Sequence, residues 1–159
     1  MPKRYLVLAV ICATVFAGGA LPAFAQDWTS VGGGYWTLPN YAGKEGEEEV
    51  AVGTEGIFAS LAAYSNQAYF EIDYAIEEPN FFALAFDYLY PMGKETRRGG
   101  ESAYLGMGYT YFYCKDVGNE SGINVMIAAD MGDELFAALR YDFLGSDKEL
   151  FTVGLTYKF

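Results

Sequence analysis

The sequence predicts an all-β fold, an eight-stranded antiparallel up-and-down barrel, on three observations. Large apolar residues alternate with small or polar ones at period two through eight stretches of the chain, the signature of strands with two unlike faces. The composition is rich in strand and turn formers, with 14 Tyr, 12 Phe and 19 Gly, while long apolar runs of 3.6-residue period are missing. The stretches are joined by connections short enough for an antiparallel meander, and eight is an even number.

The first residues are expected to stand apart from the fold. Pro2, Lys3 and Arg4 form a basic start, Tyr5 to Phe16 are apolar except Thr14, and Ala23, Phe24 and Ala25 precede Gln26. This is the layout of a secretory signal peptide, residues 1–25, cut after Ala25, with residues 26–159 as one barrel domain. The apolar run falls short of the ~18–20 residues a spanning helix needs. Cys12 would leave with it, and bulky Ile11 before it argues against lipid attachment. Cys114 would then be the only cysteine, so no intramolecular disulfide can form. Loss of Lys3 and Arg4 makes a net charge of -11 more acidic still, which argues against nucleic acid or anionic lipid surfaces as partners.

Along the rest of the chain, "WTSVGGGYWT" is a weak strand whose three glycines leave its facing open between Val31/Tyr35 and Trp28/Trp36. "GIFASLAAY" follows, with Ile57, Ala59, Leu61 and Ala63 on its apolar face. "QAYFEIDYAIEE" sets Phe70, Ile72, Tyr74 and Ile76 against Tyr69, Glu71, Asp73 and Glu77, and "FFALAFDYLY" repeats the pattern after Pro79 and Asn80, so the two form a hairpin. "SAYLGMGYTYFYC", "INVMIAAD", "LFAALRYDF" and "FTVGLTYKF" complete the set, with "PMGKETRRGGE", "KDVGNESG", "MGDE" and "LGSDKE" as the connections.

The apolar faces of the six clearest strands contain no Asp, Glu, Lys or Arg, although 19% of the chain is charged. A lipid-facing Lys or Arg costs roughly 2–4 kcal/mol at mid-bilayer, a force sufficient to keep such a face clean. The opposite faces are mixed, with Glu71, Asp73, Glu77, Asp87, Asn124, Asp130, Arg140, Asp142, Thr152, Thr156 and Lys158. Alternation alone does not say which face is inward, since a soluble barrel would hide its clean face. Tyrosines gathered toward strand ends, as at Tyr88/Tyr90 and Tyr111/Tyr113, fit interfacial belts. The strands also match the ~9–11 residues that cross a bilayer at a tilt. Small residues beside large ones on the charged faces suit a narrow packed interior. These features favour a transmembrane barrel.

An export signal, eight amphipathic strands and a last strand "FTVGLTYKF" together resemble the small eight-stranded bacterial outer-membrane barrels of the OmpA/OmpX type. The resemblance implies that Phe151, Val153, Leu155, Tyr157 and Phe159 form the signal read by the outer-membrane assembly machinery. It implies outer-membrane lipid and lipopolysaccharide as surroundings, and a monomer by default. With both termini in the periplasm, the connections at 38–53, 78–80, 115–121 and 144–149 would face outside, and those at 65–67, 91–101 and 132–134 the periplasm. The long 91–101 connection, with Lys94, Arg97 and Arg98, and the short second outer loop depart from the usual pattern.

Little points to catalysis. Enzymes among such barrels place His in their constellations, and this chain has none, which removes Ser-His and His-metal chemistry. No metal-ligand spacing and no cofactor motif is present; "VGGGYW" lacks the Lys-Ser/Thr of a phosphate loop. The "KEGEEE" run, Lys44–Glu49, reads as a solvated loop, with divalent bridging to lipopolysaccharide as a lesser reading. The sharper feature is a lumen polar network of Glu71, Asp73, Asp87, Arg140, Asp142 and Lys158. Eight strands leave an interior barely wide enough for side chains, which favours a plug of ion pairs. The expected function is a structural or surface-interaction role through the outer loops. The alternatives are a small cation-selective channel or passage for small apolar molecules, and a soluble, secreted ligand-binding barrel with its apolar face inward.

Overall fold

The alternating stretches form strands, and the strands close on one another in a computed structural model that describes residues 28–39, 42–45, 48–51, 54–76, 80–92, 102–114, 118–145 and 148–159. In chain order they are β1 (Trp28–Leu38), β2 (Ala42–Glu45), β3 (Glu48–Ala51), β4 (Thr54–Ser65), β5 (Ala68–Ala75), β6 (Phe81–Met92), β7 (Ala103–Cys114), β8 (Gly118–Met131), β9 (Leu135–Leu144) and β10 (Lys148–Lys158). Eight of them make a closed antiparallel barrel in the order β1, β10, β9, β8, β7, β6, β5, β4, with β4 returning to β1. Closure leaves no unpaired edge, which is what a spanning sheet requires. The ends of the seam are tied where Phe159 N donates to Thr29 O at 2.9 Å.

Several strand assignments differ from the expectation, among them the start of β10 at Lys148, inside the stretch read as the 144–149 connection. β8 begins at Gly118, inside the stretch read as a connection, because Gly118–Ser121 pair with Tyr111–Cys114 of β7 although their own sequence carries no alternation. β6 continues through Pro91 to Met92, paired with Tyr104 and Ala103. The 38–53 connection contains the two-stranded sheet β2–β3 where a plain loop was expected. Residues 1–25, Glu77, Lys94, Arg97 and Arg98, and the side chains of Lys44–Glu49, lie outside the described residues.

The barrel's two faces separate as period two dictates. Phe86 and Met107, 61% and 68% exposed, stand for an outer surface on which Leu105, Ile123, Ile127, Val153 and Leu155 are also exposed. The soluble alternative needs this face inside; it is outside. Many of its tyrosines and phenylalanines gather in two bands, Tyr35, Tyr111, Tyr113 and Phe143 near one mouth and Tyr88, Tyr90, Tyr157 and Phe159 near the mouth that carries the chain ends, with Phe86 between them.

The ambiguous facing of β1 is settled by packing. Trp36 points inward and is fully buried, edge-on to Phe81 at 4.9 Å between ring centroids, with its indole N–H donated to Ile57 O. Gly56 beside it keeps the space clear: a Cβ there would lie 3.0 Å from Trp36 Cζ2. Trp28 also points inward, stacked on Tyr64 and tilted against Phe136. Val31 and Tyr35 take the outer face.

Candidate functional site

The lumen is filled in three layers. At the mouth away from the chain ends, Trp36, Leu38, Phe58, Phe81, Phe112 and Leu150 are packed into an apolar cluster that includes Cys114, whose thiol is buried and free. At the other mouth Tyr69, Leu89, Met126 and Phe136 form a second apolar cluster, with Trp28, Tyr64 and Tyr104 against it. Between them lie the buried polar and charged side chains, Arg140, Glu71, Asp73, Asp87 and Asp142 among them.

Arg140, 1% exposed and the sixth residue of β9, organises this middle layer. Its Nη1 donates to Glu71 Oε2 at 2.5 Å, its Nη2 to Asp73 Oδ2 at 2.5 Å, and its Nε to Asp142 Oδ2 at 3.2 Å. The acids come from β5 and from β9 itself. Glu71 and Asp73, two residues apart on one face of a strand, meet the two terminal nitrogens of one planar fork, the geometry that suits Arg rather than Lys. Two buried hydroxyls and an amide extend the network. Ser60 Oγ donates to Glu71 Oε1 at 2.8 Å, Thr110 Oγ1 donates to Asp142 Oδ1, and Asn124 Nδ2 donates to Thr110 Oγ1 at 2.8 Å.

Not every residue named from the sequence joins this layer. Lys158 sits at the mouth of the chain ends, where its Nζ donates to Asp130 Oδ1 at 2.6 Å and lies 5.7 Å over the Trp28 ring. Tyr104 OH donates to the other oxygen of Asp130 at 2.8 Å. This is a separate, half-buried cluster. A comparable one occupies the far mouth, where Lys148 Nζ donates to Glu120 Oε1 at 2.6 Å. Asp87 is fully buried near Arg140 and beside the Asn124 side chain, and it stands outside the hydrogen bonds that tie the other three acids to the guanidinium.

Ser60, Thr110 and Tyr104 were missed as partners. Their parity along β4 and β7 assigns them to the lumen, but which acid each meets depends on register between strands. The closing stripe Phe151, Val153, Leu155, Tyr157 and Phe159 faces outward, with Phe151 half-buried and the rest exposed. Thr152 and Thr156 point inward, and Gly154 leaves room for Phe58, whose Cζ would lie 3.4 Å from a Cβ at that position.

A closed antiparallel barrel of eight strands, apolar outside and ion-paired within, is the fold of the small outer-membrane barrels. Among solved structures, Neisserial surface protein A (NspA) is similar at TM-score 0.50 and 11% identity, over 82% of this chain and 94% of that one. The N-terminal β-barrel domain of Pseudomonas aeruginosa OprF is similar at TM-score 0.46 and 12% identity, over 82% and 97%. Ail, the attachment invasion locus protein of Yersinia pestis, in complex with the heparin analogue sucrose octasulfate, is similar at TM-score 0.43 and 14% identity, over 83% and 98%. No protein-family model matches the sequence, and no curated protein matches it.

Proposed function

We propose that the chain is an integral protein of the bacterial outer membrane, exported through its N-terminal leader, with a structural or surface-interaction role and a lumen plugged by its own side chains. The observation that carries this reading is the inverted distribution of polarity: a continuous apolar outer face with aromatic bands at both mouths, around a core that holds four carboxylates and a guanidinium. Water would oppose such an outer face; hydrocarbon favours it. The termini would then lie in the periplasm, with lipid and lipopolysaccharide around the barrel. The connections at the far mouth would be the parts offered to other molecules, and the outward stripe of β10 the segment read by the assembly machinery. Membrane fractionation and electrophoresis with and without boiling test this: an outer-membrane, heat-modifiable band is expected, and recovery in the soluble periplasmic fraction overturns it.

A second reading, a narrow cation path, is favoured by one observation, the excess of buried carboxylates over the single buried guanidinium. The two apolar layers that cap the charges favour the plug. Planar-bilayer recording separates them: a silent barrel supports the plug, and steady cation-selective steps lost in Glu71→Gln/Asp73→Asn support the path.

A further inference from the structure

The mouth that carries the chain ends opens into a cleft of about 260 Å³, lined by Trp28, Asp133, Lys158 and Phe159. Three of these four walls are held in place before any ligand arrives. Lys158 Nζ is fixed by its bonds to Asp130 Oδ1 at 2.6 Å and Gly132 O at 3.4 Å. The Trp28 ring is held between Tyr64 and Phe136, and Phe159 is tied to β1 by its N–H on Thr29 O at 2.9 Å. A site preformed in this way spends little on ordering its own side chains when it is filled.

The cleft carries charges of both signs, and each retains bonding capacity. An ammonium has three protons. Lys158 gives two of them to Asp130 and Gly132, which leaves one for an acceptor in the cleft. Asp133 is exposed in the turn between β8 and β9, and its carboxylate makes no hydrogen bond or ion pair among the described residues. A purely anionic ligand would be repelled by Asp133 and a purely cationic one by Lys158, whereas a ligand with both charges close together meets an opposite charge at each end. The rings narrow the choice further. Phe159, 63% exposed, belongs with Tyr157 to the aromatic band of the outer wall, the depth at which a bilayer keeps its headgroups. The Trp28 ring is already engaged by Tyr64, Phe136 and the Lys158 ammonium 5.7 Å over it. A quaternary ammonium, which needs open aromatic faces, is therefore a poorer fit than a primary one, which hydrogen-bonds to a carboxylate.

We propose that this cleft holds the headgroup of a zwitterionic phospholipid of the ethanolamine type, its phosphate accepting from Lys158 Nζ and its primary ammonium donating to the Asp133 carboxylate. The volume lies below the ~300–1,000 Å³ of sites for drug-sized ligands and suits a headgroup whose acyl chains stay outside. The site rests on the membrane reading and adds to it a preferred lipid at the rim of the chain ends. The two fail separately: recovery in the soluble fraction removes the bilayer, whereas a cleft without a headgroup response leaves the fractionation result untouched.

Trp28 reports on the cleft directly, because the other tryptophan, Trp36, is fully buried in the apolar cluster at the far mouth. The test is the tryptophan emission of the whole barrel, folded in micelles of an uncharged detergent and titrated with dihexanoylphosphatidylethanolamine. A saturating change in emission is expected. Dihexanoylphosphatidylglycerol should produce none, and neither should free phosphoethanolamine at the same concentration. Asp133→Asn, in an exposed turn, should keep the fold and raise the half-saturating concentration about tenfold, the loss of one charge-assisted hydrogen bond. No saturation with the ethanolamine lipid overturns the proposal, as does an equal response to the phosphatidylglycerol or an undiminished one in Asp133→Asn. An equal response to free phosphoethanolamine overturns the lipid as the source of the headgroup. The comparison of lipids on the wild-type barrel stands even where the variant fails to fold.

Discussion

At the scale of single residues, the barrel depends on one cation and on a few missing side chains. Removing the Arg140 guanidinium would leave Glu71, Asp73 and Asp142 buried with no counter-charge. Breaking a buried ion pair from one side typically costs about 3–5 kcal/mol, and Arg140→Ala is expected to lose at least that much in urea unfolding from vesicles. Arg140→Lys should rescue little of it, because one ammonium on a flexible stem does not reach three carboxylates in the plane of a fork. Glycine acts by the opposite means. A Cβ at Gly34 would lie 1.9 Å from Val153 O of the neighbouring strand, so any side chain there forces β1 and β10 apart. Gly34→Ala is therefore expected to abolish the heat-resistant folded band. Gly154→Ala, whose nearest neighbour is the Phe58 ring edge at 3.4 Å, should keep it.

At the scale of elements, the β4–β5 hairpin turns through only two residues, Asn66 and Gln67, both in the left-handed region at φ 50° and 70°. Positive φ at both central positions is the twist a two-residue hairpin prefers, and Asn-Gly is the sequence that supplies it cheaply. Gln67 is a poorer choice, held by its own contacts: its carbonyl accepts from Leu89 N at 2.7 Å and its side-chain oxygen from Tyr88 OH. Gln67→Gly keeps the first contact and removes the strain, so a gain of about 1 kcal/mol in the urea midpoint is expected despite the lost tyrosine bond. The sequence disclosed what depends on parity and concealed what depends on register. Alternation alone put Glu71, Asp73, Asp87, Asp142 and Arg140 on inward faces, and kept the outer faces free of charge. It could not tell that Lys158 lies one layer away from Arg140, because depth in a barrel is fixed by which residue of the next strand stands opposite. The early start of β8 was hidden for the same reason: its first residues are strand only because Tyr111–Cys114 pair with them. The facing of β1 waited on packing, since three glycines carry no facing signal and only the cavity beside Gly56 and Phe81 accepts Trp36.

At the scale of the molecule, what holds the barrel together depends on the medium its outer face meets. Inside, two apolar layers and an ion-paired one are sealed by the wall itself. Outside, exposed Phe86, Met107, Ile123 and Leu155 gain nothing from water and everything from hydrocarbon. Phe86 is the sixth of the twelve residues of β6, and so stands near mid-bilayer in a spanning barrel. Phe86→Arg should then cost roughly 2–4 kcal/mol in vesicle folding, whereas Gln67→Arg in the turn at the mouth should cost roughly 0–1 kcal/mol beyond its effect on the turn. The contrast is diagnostic because one guanidinium is placed in mid-strand on the outer wall and the other in the turn at the mouth, so that, the turn's own effect aside, the two differ in depth. In detergent micelles, where no fixed hydrocarbon slab sets the depth, the two costs should converge. Equal costs in vesicles would mean that the apolar face does not span a bilayer. A cost that grows toward the middle of the strand and falls at both aromatic bands would trace the thickness of the membrane on the protein itself.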